Sequence, residues 1–367
     1  MRSSADAASN TFTLAAYAVV AKKEGNVLLS GTSIRSALGL AYLGARGATR
    51  SEMGRVLGFE AGVDVRAEAD LLRAAAGAAE LAIANRLWPH RGLTLEPDYR
   101  SAMEAQGASL EALDFARGPN DARESINASV AKDTAGKIEN LLPPGSIGPL
   151  TRLVLTNALY FKGKWDQVFP KEQTQRLGFY VAPDRPVISP MMRVTADLHY
   201  GEVGSAKLLQ LAYRGSDLAM LVALPKDQGG LHRLEDGLSW SRFQAWTQVL
   251  QRTKVQVFLP RFTFRQGGSV KPVLMELGLA HAFGAADFSG IAGPPGDLYL
   301  DDVFHDTFVA VDEEGTEAAA ATGAVVQTRG RPAPIPVFRA DHPFLFFMRD
   351  TRSGRIVFAG RLANPEG

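Results

Sequence analysis

Hydrophobic positions fall into two regimes along the chain. In the first third they recur at helical spacing, and later they come in long apolar blocks separated by turn residues. The apolar part of residues 12–21 is interrupted by Thr13 and Tyr17 in the manner of an amphipathic helix, and Asn10 or Thr11 can cap a helix running to about Glu24. Residues 26–29 form a short apolar strand. SGTSIRSALGLAYLGARG (30–47) then reads as a buried helix with capping hydroxyls at its start. Thr49 with Glu52 has capping-box spacing for a further helix, and the Ala/Leu-rich residues 66–82 predict another.

The second regime is that of strands. ELAIANRLWP (80–89) and TRLVLTNALYF (151–161) are long and apolar, as central strands of a large sheet require. Between them residues 120–137 read as a helix, which LLPPG (141–145) ends. Strands dominate 187–225, with a hairpin around Arg214 to Asp217. SWSRFQAWTQVL (239–250) is a helix, KVQVFLPRFTF (254–264) a strand pair or one bent strand, and residues 270–277 a short helix. HDTFVAVD (305–312) is a strand, and FLFFMRD (344–350) with RIVFAGRL (355–362) makes a hairpin. No internal repeat and no domain-separating linker is visible. Helices first and mixed or antiparallel strands later predict one α+β domain over residues 1–367.

Composition narrows the chemistry. Of 367 residues 46% are hydrophobic and 22% charged, which is ordinary for a globular chain, and the net charge of +1 offers no general grip on nucleic acid or an anionic membrane. The absence of cysteine excludes disulfides, thiol catalysis and thiolate-bound zinc. No apolar run approaches the roughly 20 residues of a membrane-spanning helix. There is no G-x-S-x-G elbow, no H-E-x-x-H helix and no phosphate loop, and the six histidines are scattered, so neither an enzyme nor a metal or cofactor site is expected.

One stretch resists these categories. In VDEEGTEAAAATGAVVQTRGRPAPIP (311–336) four alanines sit between glycines, and after Glu317 no charge appears until Arg329. EEGTEAAAAT closely resembles the hinge of inhibitory serpins. The resemblance covers nearly the whole chain in the family's order: SGTSIRSALGLAYLGARGATRSEM (30–53), TNALYFKGKW (156–165), VFHDTFVAVDEEGTEAA (303–319) and DHPFLFFMRD with GRIVFAGRLANP (341–365) are similar to serpin helices, sheet strands and the C-terminal strand pair. It implies the serpin fold, α+β, with a large main sheet plus smaller sheets, eight or nine helices and an exposed reactive-centre loop at about 313–337. It further implies a monomer without cofactor, and a trypsin-like serine protease as partner in a covalent complex. The compartment would be extracellular or periplasmic if a leader has been removed, and cytoplasmic otherwise. The lack of cysteine with abundant Ala, Gly and Arg points to a prokaryotic source.

Under this resemblance the hinge comprises Glu313, Glu314, Gly315, Thr316, Glu317, Ala318, Ala319, Ala320, Ala321 and Thr322. Side chains of a central strand alternate between two faces. Thr316, Ala318, Ala320 and Thr322 share one face, all small and uncharged, and Glu317 falls on the other. Counting Glu313 as first, the seventeenth residue is Arg329, so the bond expected to be cut is Arg329–Gly330. Arg331 is a second candidate, disfavoured by Pro332 after it. Gly330 departs from the serine common there in the family. Ser30, Ser33, Asn157 and His305 match positions where the serpin sheet parts, and Trp165 matches a tryptophan near the hinge's entry point. The plainer alternative for each is a satisfied core residue.

Overall fold

The computed structural model describes residues 4–59, 62–108, 110–314 and 334–366. Gly315 to Thr322, Arg329, Gly330 and Arg331 lie outside them. Helices α1 (Ser4–Val20), α2 (Gly31–Gly44), α3 (Gly47–Leu57), α4 (Val65–Ala76), α5 (Pro97–Ala105) and α6 (Pro119–Asp133) occupy the first part of the chain. Strands β1 (Val27–Leu29) and β2 (Glu80–Pro89) are set among them. Then come β3 (Leu153–Lys162), β4 (Gln175–Ala182), β5 (Arg185–Val203), β6 (Ala206–Ala212) and β7 (Leu218–Pro225). Helices α7 (Leu231–Glu235) and α8 (Trp240–Gln248) precede β8 (Gln251–Pro260), β9 (Phe262–Ser269) and α9 (Lys271–Glu276). The chain ends with β10 (Asp302–Val311), β11 (Val337–Arg339), β12 (Phe344–Asp350) and β13 (Ile356–Leu362).

The described strands form two sheets. A nine-stranded sheet runs β1-β13-β12-β7-β6-β5-β8-β11, with β4 on β5, and a four-stranded sheet runs β2-β3-β10-β9. Of the two strands expected at the centre of a large sheet, β3 is central, whereas β2 lies at the edge of the described strands, and their sheet has four of them. Its middle pair, β3 and β10, is parallel and in direct register from Asp302↔Val154 to Phe308↔Tyr160. β3 is buried at every position but its last, which explains why its sequence is an almost continuous apolar run.

Residues 254–264 form neither a hairpin nor one strand. β8 pairs with β5 in the larger sheet and β9 with β10 in the smaller, so the chain changes sheets at Arg261. Apolar side chains between the sheets, including Leu159, Phe262, Val309 and Phe346, form one core cluster; a second surrounds α1 and α2. α2 lies so close to α1 that a Cβ on Gly31 would fall 2.5 Å from the Thr13 Cα, a contact only glycine permits.

Several helix boundaries differ from expectation. α1 starts at Ser4, so neither Asn10 nor Thr11 caps it. The buried Asn10 instead spends its amide on distant backbone, donating to Gly354 O (3.1 Å) and accepting from Ile356 N (2.7 Å). Thr49 and Glu52 do not form a capping box. Thr49 Oγ1 accepts from Asp287 N (2.8 Å) and Glu52 binds His281 N (2.8 Å), so tertiary partners have taken both side chains. The helix expected over 66–82 stops at Ala76, where Gly77 takes a positive φ of 55°.

Candidate functional site

The β1–α2 elbow brings Ser30 and Ser33 beneath the β3–β10 seam. Ser30 is the N-cap of α2: its Oγ accepts from Ser33 N (3.2 Å) and donates to Val357 O on β13 (2.7 Å). In the seam Asn157 stands directly opposite His305. All four side chains are buried.

Their hydrogen bonds fix each proton. Asn157 Nδ2 donates to the carbonyl of Ser33 (3.2 Å) and to Ser33 Oγ, which turns its Oδ1 toward His305. His305 Nδ1 donates to that oxygen, and Nε2 accepts from the backbone N–H of Ser30 at 3.1 Å. The imidazole is thereby held neutral, and burial pushes its pKa down to about 3. One network thus joins α2, β3, β10 and β13.

Two further parts were not foreseen. Asn85 of β2 is in register with Asn157, accepts from its amide, and donates to Ser36 Oγ at 3.2 Å. Its signal was present as the lone amide in the apolar run ELAIANRLWP. On the other side of β10, the buried Asp306 receives Arg265 Nε (2.9 Å) and Nη2 (2.6 Å) from β9. Burial raises the Asp306 pKa against the opposing pull of Arg265. Gly267 sits opposite because a Cβ there would fall 2.2 Å from Asp306 Oδ2.

At the far end of β10 the chain continues through Asp312 to Glu313 and Glu314. Here it meets residues that follow β3. Trp165 Nε1 donates to Asp312 O (2.9 Å), Trp165 N to Glu314 O (3.1 Å) and Phe169 N to Glu313 O (2.9 Å). The indole stacks on Tyr213 at 4.5 Å with planes 15° apart. The Glu313 carboxylate is buried, and accepts from Thr174 Oγ1 (2.7 Å) and from Arg261 at the sheet-changing corner. Burial alone would raise its pKa, but these hydrogen bonds outweigh that and hold it below the usual carboxylate range. Glu314 pairs with Lys171. The structure therefore brings Trp165 to the start of the expected hinge and gathers Ser30, Ser33, Asn157 and His305 into a separate cluster farther along the same seam.

A closed parallel pair pinned at mid-length by buried polar groups, with Glu313 and Glu314 held just past the end of one strand, is the arrangement of a serpin-type molecule. The profile described as Serpin (serine protease inhibitor) matches residues 7–365, and the chain belongs to the serpin family. It is 39% identical to a leukocyte elastase inhibitor of Bos taurus over 93% of both chains, and 38% identical to a serpin B6 of Macaca fascicularis over 98% of both. Uncleaved ovalbumin superimposes with a TM-score of 0.89 at 28% identity, covering 99% of this chain and 100% of that one. These similarities lend no support to an extracellular location.

Proposed function

We propose that this serpin is a suicide-substrate inhibitor of trypsin-like serine proteases, cut at Arg329–Gly330. The observation that carries the reading is the placement of Glu313 and Glu314. They stand at the open end of the β3–β10 seam, so the peptide that follows is tethered where a new strand would begin to enter. Arginine at position 329 suits a specificity pocket that bears a carboxylate.

The chemistry up to trapping is ordinary acyl transfer. The protease serine oxygen bonds to the Arg329 carbonyl carbon, the bond to Gly330 N breaks, and the glycine leaves as an amine after accepting a proton from the protease. An ester to Arg329 remains. Residues 316–329 then enter between β3 and β10, spanning roughly 45 Å at about 3.3 Å per residue. The parallel ladder from Asp302↔Val154 to Phe308↔Tyr160 separates. Because the loop folds back on the strand it follows, two antiparallel ladders replace it, each somewhat more stable per residue than the parallel one. A dozen new hydrogen bonds at about 1 kcal/mol net each give a driving force on the order of 10 kcal/mol. His305 and Asn157 exchange their mutual bond for partners on the incoming strand. The uncleaved form is thus held by a barrier rather than by its free energy.

Incubation with trypsin tests this. The expected product is an SDS-stable complex together with a released peptide beginning at Gly330. Clean cleavage without complex would instead mark a non-inhibitory binding or chaperone-like serpin, and a peptide beginning at Pro332 would place the cut at Arg331.

A further inference from the structure

Away from the seam, β5, β8 and β11 lie side by side in the larger sheet, and alternate residues such as Val194, Val257 and Phe338 point into the core. The other set faces outward. In it Arg193 of β5, Phe258 of β8 and Arg339 of β11 make one row in direct register. Both guanidinium carbons stand over the phenyl ring, at 3.9 Å from its centre for Arg339 and 5.4 Å for Arg193, and cover it to 7% exposure. Arg339 itself is exposed and Arg193 half-buried.

Two like charges thus share one ring, and among the described residues no carboxylate pairs with either; Asp341, two residues beyond Arg339, is taken by His342 (2.9 Å). The next rows continue the imbalance. Arg252 and Lys254 of β8 are exposed, against Asp197 of β5 opposite Lys254. Four basic side chains therefore face one acid on a single sheet face, in a chain whose net charge is only +1. β11 also follows the expected reactive-centre loop in the chain. Ten residues lead from Arg329 to Arg339, so at no more than about 3.6 Å each their Cα atoms lie within ~36 Å. A protease of ~230 residues is about 45 Å across, large enough to reach this row while engaged at Arg329.

We infer that the outward face of β5, β8 and β11 is a second docking surface for the target protease, taking an acidic segment beside the protease active site. This rests on the inhibitory reading above and adds which trypsin-like proteases are favoured. Arg329 suits the pocket common to all of them, whereas the Arg193–Phe258–Arg339 row discriminates by the charge around that pocket. Stacking on Phe258 holds the planar guanidiniums in place, so little freedom is lost when they meet a carboxylate. Complementary charge acts mainly on the rate of encounter, and rate governs an inhibitor whose complex is covalent.

The test is the rate of complex formation by the full uncleaved chain with two trypsins of like specificity and opposite net charge. At low salt the anionic trypsin should react about tenfold more slowly with the double variant Arg193→Gln, Arg339→Gln than with the unaltered protein, and added salt should shrink the difference. The cationic trypsin should react as fast or faster. Lys254→Gln, exposed and off the Phe258 ring, should slow the anionic enzyme several-fold and serves if the double variant does not fold. The share of inhibitor that ends in complex should stay constant, because strand entry does not involve this face. Unchanged rates with the anionic trypsin, or equal slowing of both trypsins, would overturn the inference. Retention on a sulfated polysaccharide that the double variant loses, with neither rate altered, would assign the face to a polyanion and overturn it too. Absence of any SDS-stable complex from the unaltered chain is a different result, which would sink the inhibitory reading and this one with it.

Discussion

A second proton on His305 would set an Nε2–H against the backbone N–H of Ser30, which now donates to that nitrogen at 3.1 Å. The folded pKa of about 3 lies below the value of about 6.5 for an unfolded histidine, so the unfolded chain takes up the proton first. The stability due to this residue is fully present above about pH 6.5 and is lost as pH falls toward 3, at about 1.4 kcal/mol per pH unit. His305→Gln can keep both hydrogen bonds without titrating. Guanidinium unfolding of the two proteins between pH 5 and 8 should diverge only below about 6.5, and parallel curves would refute the assignment. Asn157→Ala removes the oxygen that His305 Nδ1 faces and orphans a buried donor; a loss of about 1–3 kcal/mol is expected in the same measurement. Glu313 has a dependence of the same sign in a lower pH window: its lowered pKa makes the Arg261 and Thr174 contacts stabilising above the usual carboxylate range, and they fade as pH drops below it.

At the scale of elements, Trp165 separates two functions of one side chain. Trp165→Phe keeps an aromatic ring on Tyr213 but loses the bond to Asp312 O, and should cost about 1 kcal/mol beyond any packing change; Trp165→Ala should cost about 3–5. Thermal unfolding of the uncleaved protein distinguishes them: equal losses would mean that the ring packing is idle, and no loss in Trp165→Phe that the indole N–H is. Elements with one strong pattern were legible in the sequence. β2 and β3 are long and mostly apolar, the β6–β7 and β12–β13 hairpins are marked by turn residues, and α2 carries its own capping serine. What was not legible depended on partners far away in the chain. Asn10 and Thr49 look like caps locally, but their side chains are used by Ile356 and Asp287. The short α5 and α7 went unpredicted, having few apolar positions to set a period, and the strand β4 went unpredicted because its apolar residues do not alternate. The 254–264 run reads as a strand pair or one bent strand but does not show the change of sheet, because only pairing partners define a sheet.

For the molecule as a whole, the candidate site was readable because a family resemblance put distant segments into relation; residue spacing alone links nothing between Ser30, Asn157 and His305. Asn85 and Asp306 were missed since each matters only through its neighbour across a ladder. If strand entry is the source of inhibition, a charge on the inward face of the hinge must stop it. Thr316→Glu should convert inhibition to simple cleavage, with the stable complex reduced at least tenfold on denaturing gels, because burying that carboxylate costs several kcal/mol during entry. Undiminished complex would mean that insertion is not what traps the protease.

The corner at Arg261 also decides which part of the molecule travels. β9 begins only one residue after β8 ends, so β9 and its neighbour β10 are moored to the larger sheet. β2 and β3 do not continue directly into a strand of the larger sheet: they meet it at one end, where Asp166 N donates to Ala212 O and Arg214 N to Lys164 O beside the β6–β7 turn, and Arg86 of β2 ties them to α6 through Asp133 at 2.7 Å. Widening the seam should therefore carry β2, β3 and α6 outward as one block. Since the chain contains no cysteine, paired labels can be placed at will. A probe at Ser125 should recede from one at Thr263 by about one strand spacing, ~4.8 Å, whereas Thr263 and Arg252 keep their separation.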